Sequence, residues 1–143
     1  MKRRVWMFGL TLVVGIALGM IGTQVLNAQY AQQRGPTTEK GRTAKTVASL
    51  ELGPQIPELQ GRYLRARVVT FEPGGHGAAH SHKDRPVIAY VLQGTFSDCK
   101  PDGTCTEIQE GQAKVEGKDV VHWVANRGTK PLTFLAVEIV KEP

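Results

Sequence analysis

The sequence predicts an all-β domain of the sandwich or barrel class over residues 46–143, behind an apolar amino-terminal segment and a linker. Three observations carry this expectation. Short runs rich in Val, Ile, Thr, Tyr and Phe recur between Gly and Pro punctuation. No stretch beyond residue 45 keeps a helical apolar period between caps. The 143 residues are enough for one domain with a real core and too few for two.

Residues 1–28 come first. Lys2, Arg3 and Arg4 precede Val5–Ala28, which carries no charge, and a basic start before an apolar run marks an export signal. The run also approaches the ~20 residues that span a bilayer, so a cleaved signal peptide and an uncleaved anchor helix both stay open. Gly15 and Gly19 form a small-xxx-small pair suited to helix contact. Either way the domain is expected outside the cytoplasm, in the periplasm or cell envelope, touching membrane only through residues 5–28. Setting those three basic residues aside from the 18 Lys and Arg leaves 15 against 13 acidic residues, so no basic stripe remains. Nucleic-acid binding is excluded on that ground. Residues 29–45, QYAQQRGPTTEKGRTAK, are polar with Gly, Pro and Thr and read as a flexible linker.

The strand signals follow in order: TVASLEL, YLRARVVTF, VIAYVLQGTF, CTEIQ, AKVEG, DVVHWVAN and LTFLAVEIV. Strands alternate their faces, so if Val87 points inward, Ala89 and Val91 do too, and Ile88, Tyr90 and Leu92 point out. That inner wall is small and apolar and leaves room for a modest ligand. CKPDGTC, residues 99–105, fits a three-residue hairpin loop with Gly103 supplying positive φ. Cys99 then falls opposite Cys105, within reach of a disulfide in an oxidising compartment. Two free thiols are the alternative; a zinc site would need a second cysteine pair, and the chain has 2 cysteines in all.

Three of the 4 histidines lie in GGHGAAHSHKDRP, residues 74–86. His80 and His82 project to the same face of a strand, where two imidazoles can converge on one ion. His76 sits among Gly74, Gly75 and Gly77, where strand parity lapses. His122 is on a separate strand signal, with Trp123 on the opposite parity and assigned to packing or a dimer contact. Taken singly, a His-x-His is ordinary solvent-facing polarity, and His122 a hydrogen-bonded core or rim residue.

Together these residues resemble the cupin family. Its first motif runs Gly, five residues, His-x-His, three or four residues, Glu, six residues, Gly; Gly74, His80, His82 and Gly94 match in place. Its second runs Gly, five residues, Pro-x-Gly, two residues, His, three residues, Asn; Gly111, His122 and Asn126 match, while Gly117 and Asp119 stand where Pro and Gly are usual. The resemblance implies a double-stranded jelly-roll barrel, homodimerisation, and one divalent metal ion (iron, zinc, manganese, nickel or copper) on His80, His82 and His122. It also exposes a departure. The family's ligating Glu falls on Val87, and a one-residue slip lands on Pro86; neither can bind a metal. Three readings follow: a three-histidine site with open positions, resembling the cysteine dioxygenase branch; a substitute ligand, Asp84 or His76; or a barrel that holds an organic ligand without metal. Of the acids near the motifs, Glu72, Glu110, Glu116 and Asp119 read as surface or turn residues, with Glu72 the nearest to a candidate base. The functions in view are a small-molecule oxygenase, lyase or isomerase, a non-catalytic ligand- or metal-binding module, and a structural cupin whose histidines are relics.

Overall fold

A computed structural model describes residues 35–141. Among them run nine strands: β1 (Lys40–Glu51), β2 (Tyr63–His76), β3 (His80–Ser81), β4 (Val87–Gln93), β5 (Thr95–Cys99), β6 (Cys105–Gln109), β7 (Ala113–Glu116), β8 (Val121–Ala125) and β9 (Leu132–Val140). They form a nearly closed antiparallel barrel with two walls. One wall is ordered β1–β2–β9–β4–β7, and the other β6–β5–β8–β3. β2 belongs to both. Its first part lies between β1 and β9, and past the Pro73-Gly74-Gly75 bend His76 pairs with Ala125 of β8. The bend needs glycine: Gly74 has φ +72°, and a Cβ on Gly75 would lie 2.8 Å from the Glu72 carbonyl oxygen.

The core lies between the walls. β9 alternates strictly, burying Leu132, Phe134, Ala136, Glu138 and Val140. Phe71, Phe96, Val69, Val124 and Ile108 meet this face, with the rings of Phe96 and Phe134 packed edge to face at 4.9 Å. On β4, Val87, Ala89 and Val91 are buried and Ile88, Tyr90 and Leu92 exposed, the parity the sequence predicts.

The hairpin also follows expectation. Cys99 pairs with Cys105 and the two are joined by a disulfide, while the Lys100 N–H donates to the Thr104 carbonyl at 2.8 Å.

The linker expectation needs correction. β1 begins at Lys40, six residues inside the segment expected to be linker, and pairs along β2 as far as Glu51. Nearly all its residues are exposed, because it is an edge strand that buries neither face. Such a strand needs no apolar alternation, so KGRTAK carries no strand pattern. Order reaches further back still: the Ala79 N–H donates to the Pro36 carbonyl at 2.7 Å, and Gly35 closes on the ring of Trp123, which is partly buried. Residues 1–34 lie outside the described part, and with them the expected export or anchor helix. Among the described residues no helix is long and apolar enough to cross a membrane.

Candidate metal centre

Strand pairing brings the histidines together. His80 on β3 lies directly opposite His122 on β8, so both rings leave the same face of the ladder. His82 follows two residues later on that face. His82 and His122 are buried and His80 half-buried. The Nε2 atoms of His80 and His82 are 3.0 Å apart, and those of His82 and His122 2.9 Å.

The second nitrogen of each ring fixes where its proton sits. His80 Nδ1 faces the Ala78 carbonyl at 2.9 Å, and His82 Nδ1 the Arg85 carbonyl at 2.9 Å. A carbonyl only accepts, so both Nδ1 atoms carry hydrogen and donate. His122 Nδ1 donates to Asp98 Oδ1 at 2.5 Å, and Asp98 Oδ2 is held by Lys114 Nζ at 2.6 Å. The Nε2 atoms of all three rings therefore turn toward one point, where the neutral imidazole offers a lone pair. Protonation of His80 and His82 is disfavoured: burial above all holds His80 below its ordinary value and brings His82 down to about 4, with His122 and Arg85 adding to the effect and the Ala78 and Arg85 carbonyls opposing it.

Glu116 completes the cluster, and this overturns its expected place as a surface or turn residue. It is 3 % exposed, with Oε2 3.3 Å from His82 Nε2 and Oε1 3.4 Å from His122 Nε2. Among the described residues Oε1 has no hydrogen-bond partner. Burial, reinforced by the charge of Asp98 and opposed by His122, Lys114 and Arg85, raises the Glu116 pKa to about 7. Its position explains the departure at Val87. Val87 on β4 pairs directly with Glu116 on β7, so the two side chains share a face about 5 Å apart at Cβ. A carboxylate thus reaches the histidines from the strand beside the one where the family motif carries it.

These donors suit a divalent cation. An ion with bonds of ~2.1 Å to two nitrogens 3.0 Å apart subtends roughly 90°, the cis angle of an octahedral site. Three lone pairs and an unpartnered carboxylate oxygen converging in a buried place are costly without a positive charge among them. The triad His80, His82 and His122 is a group able to hold an ion. Asp98 also approaches Glu116 and His122, but its oxygens are committed to His122 and Lys114, which makes it the group that orients His122. Burial disfavours the Asp98 anion, yet those two hydrogen bonds outweigh it and bring its pKa to about 2.

The remaining expected site residues fall elsewhere. His76 turns to the Gly77 carbonyl and is outside the triad, and Asp84 is exposed in the loop, its carbonyl held by Arg62. Neither supplies the substitute ligand. Glu72, Glu110 and Asp119 are exposed. Asn126 is structural, its side-chain amide donating to the Phe71 and Lys130 carbonyls and so tying the β8–β9 turn to β2.

A cavity of about 220 Å³ opens onto the triad. Val69, Phe71, Phe134 and Ala136 supply its apolar lining, Arg67 continues the same β2–β9 face beside Ala136, and Arg85 and the Arg42–Glu39 pair add charged groups. Among these groups is Glu138, whose side chain is wholly buried and contacts Arg65 at 3.1 Å, Arg67 at 2.5 Å and Arg85 at 3.4 Å. No sequence pattern marked these charged residues, since only the pairing of β2 with β9 assembles them.

Comparison with known proteins agrees with this architecture. The family pattern described as a cupin domain matches residues 67–138. The polyketide cyclase RemF from Streptomyces resistomycificus is 22 % identical over 74 % of this chain and 69 % of its own, with a TM-score of 0.57. A cupin domain from Bordetella pertussis is 19 % identical over 72 % and 97 % of the two chains, with a TM-score of 0.55. KdgF from a Halomonas species is 26 % identical over 68 % and 78 %, with a TM-score of 0.50. No curated protein matches. With its jelly-roll walls, its histidine triad and a family pattern that covers half its length, this chain belongs to the cupin family.

Proposed function

We propose that this protein is an extracytoplasmic cupin that holds one divalent metal on His80, His82, His122 and Glu116 and acts on a small organic molecule in the adjoining cavity. The observation that carries the reading is the fixed tautomer of the triad: each Nδ1 proton is committed to an acceptor, so three lone pairs meet beside a buried carboxylate. A metal bound there supplies Lewis acidity or oxygen activation, the chemistry of an oxygenase, lyase or isomerase. The chain's own residues do the rest. Asp98, steadied by Lys114, keeps His122 in its ligating tautomer, and the Arg85 carbonyl does the same for His82. The apolar lining keeps water from part of the cavity and leaves a reactant to be oriented by Arg67, on the same β2–β9 face, and by Arg85. The cross-hairpin disulfide supports export, because such bonds persist in oxidising compartments.

A second reading, a non-catalytic module that binds a small ligand or metal, has its own support. The acids lining the cavity are already engaged: Glu39 with Arg42, Glu138 with the arginines, and Glu116 with the triad. That leaves little for general acid–base work. Elemental analysis of protein purified from its natural compartment, coupled to oxygen-uptake and turnover assays, separates the two. Stoichiometric metal with turnover supports the enzyme, stoichiometric metal that never turns over supports the module, and metal-free protein contradicts the metalloenzyme and leaves the module as a binder of an organic ligand.

A further inference from the structure

We propose that the cavity takes a small monocarboxylate with an apolar body, its carboxylate seated by the guanidinium groups of Arg67 and Arg85 beside the metal position. This rests on the metal-site reading above, and deepens it by naming the substrate class.

The charge distribution is the starting point. Glu138 is one carboxylate among three guanidinium groups, those of Arg65, Arg67 and Arg85. Arg65 and Arg67 both approach Oε1 through Nε, and each guanidinium carries further N–H donors in a fixed fork. Of the charged residues that line the cavity, Glu39 is paired with Arg42 and Glu116 stands at the metal position. That leaves Glu138 as the one carboxylate against Arg67 and Arg85, and a divalent metal nearby adds to the excess. A low-dielectric cavity with surplus positive charge favours an anion.

The two arginines are placed to receive it. Arg67 and Arg85 both line the cavity that holds the triad. Burial lowers the pKa of Arg67, with Arg65 and Arg42 adding to a pull that Glu138 opposes, and its buried Nε makes no well-formed hydrogen bond. Arg85 is 3.4 Å from Glu138, beyond good hydrogen-bonding distance, and its side chain is 31 % exposed and able to swing toward a ligand. Arg85 follows His82 by three residues, its carbonyl accepts from His82 Nδ1 at 2.9 Å, and it lines the same cavity as the triad, so a group bound to it stands close to the metal position. Its backbone is anchored independently, through the His82 contact and the Arg62 hydrogen bond to Asp84.

The apolar residues that continue the Arg67 face along β2 and β9 set the remainder of the ligand. Val69, Phe71, Phe134 and Ala136 offer no polar side-chain atom, which suits an aliphatic or aromatic body. At about 220 Å³ the cavity is smaller than the ~300–1,000 Å³ of drug-sized sites, which limits the ligand to a compact molecule. A planar carboxylate matches a guanidinium fork, and the Glu138 contact with Arg67 is through Nε alone, so it does not occupy the terminal donors of that fork.

The test uses the full exported protein, loaded with zinc and separately stripped by chelator, titrated calorimetrically with phenylacetate, phenylacetamide and phenylphosphonate. Phenylacetate is expected to bind roughly tenfold or more tighter than the neutral amide of the same shape. R85Q is expected to erase that preference while keeping the wild-type zinc content, and R85K to restore part of it. Equal binding of acid and amide, an unchanged preference in R85Q, or tighter binding of the phosphonate would each overturn the proposal. The metal reading fails separately: protein that binds no zinc but still prefers phenylacetate to the amide supports the carboxylate site and contradicts the metal site.

Discussion

Replacing Glu116 by Gln removes a charge from the metal centre with little change of shape, and the structure sets the size of the effect. A metal must displace the proton from Glu116, whose pKa is raised from 4.5 to about 7 by burial. Above pH 7 the carboxylate is free to bind. Below it each unit of acid weakens binding tenfold, so Glu116 alone contributes a loss of about 100-fold, or ~2.7 kcal/mol, between pH 8 and pH 5. Gln carries no such proton. The ratio of wild-type to E116Q zinc affinity, read by competition with a chromophoric chelator, should therefore fall about 100-fold over that interval. At pH 8 the variant should bind weaker by at least the ~10–100-fold that loss of an outer orienting group costs. Metal-free stability gives a second readout with a definite sign. A carboxyl whose pKa rises on folding stabilises the fold when protonated and opposes it as pH climbs from 4.5 through 7, by about 3 kcal/mol. Stripped E116Q should therefore be more stable than stripped wild type at pH 8, and not at pH 4. Parallel pH profiles for the two proteins, in affinity and in stability, would refute the placement of Glu116 in the site.

Three further outcomes follow from the geometry. D98N removes the charge and leaves one acceptor oxygen for two donors, His122 Nδ1 and Lys114 Nζ, so it should weaken zinc binding by about 10–100-fold, measured by the same competition, with the fold retained by circular dichroism. Because Val87 and Glu116 are direct cross-strand partners, E116V should lose zinc loading and the swap V87E/E116V should regain most of it; equal loss in both would show that the two positions are not interchangeable. Removing the disulfide with C99S/C105S opens a short loop whose closure contributes about 2 kcal/mol, for a fall of roughly 10 °C in Tm, and an unchanged Tm would show the crosslink to be silent.

What the sequence reveals here depends on how local the signal is. The inward face of VIAYVLQ and the CKPDGTC hairpin are set by neighbours a few residues apart, and both are legible. The His-x-His pair with His122 is legible because two motifs keep their internal spacing. Glu116 is not, because what makes it a site residue is its pairing with Val87 across a ladder, a relation between positions 29 apart. Lying between a lysine-bearing strand and Gly117, it looks like a turn acid. Asp98 and the arginines around Glu138 are hidden for the same reason: β5 meets β8, and β2 meets β9, only in the closed barrel. β1 escapes notice for a different cause, since an edge strand exposed on both faces has the composition of a linker.

The three-histidine metal site is tested most directly by the stoichiometry of metal binding in the histidine variants. Zinc titrated calorimetrically into chelator-stripped protein should bind one to one in the wild type and in H76A, whose ring lies outside the triad, and should show no tight site in H80A or H122A. One-to-one binding that survives in H122A, or is lost in H76A, would contradict it.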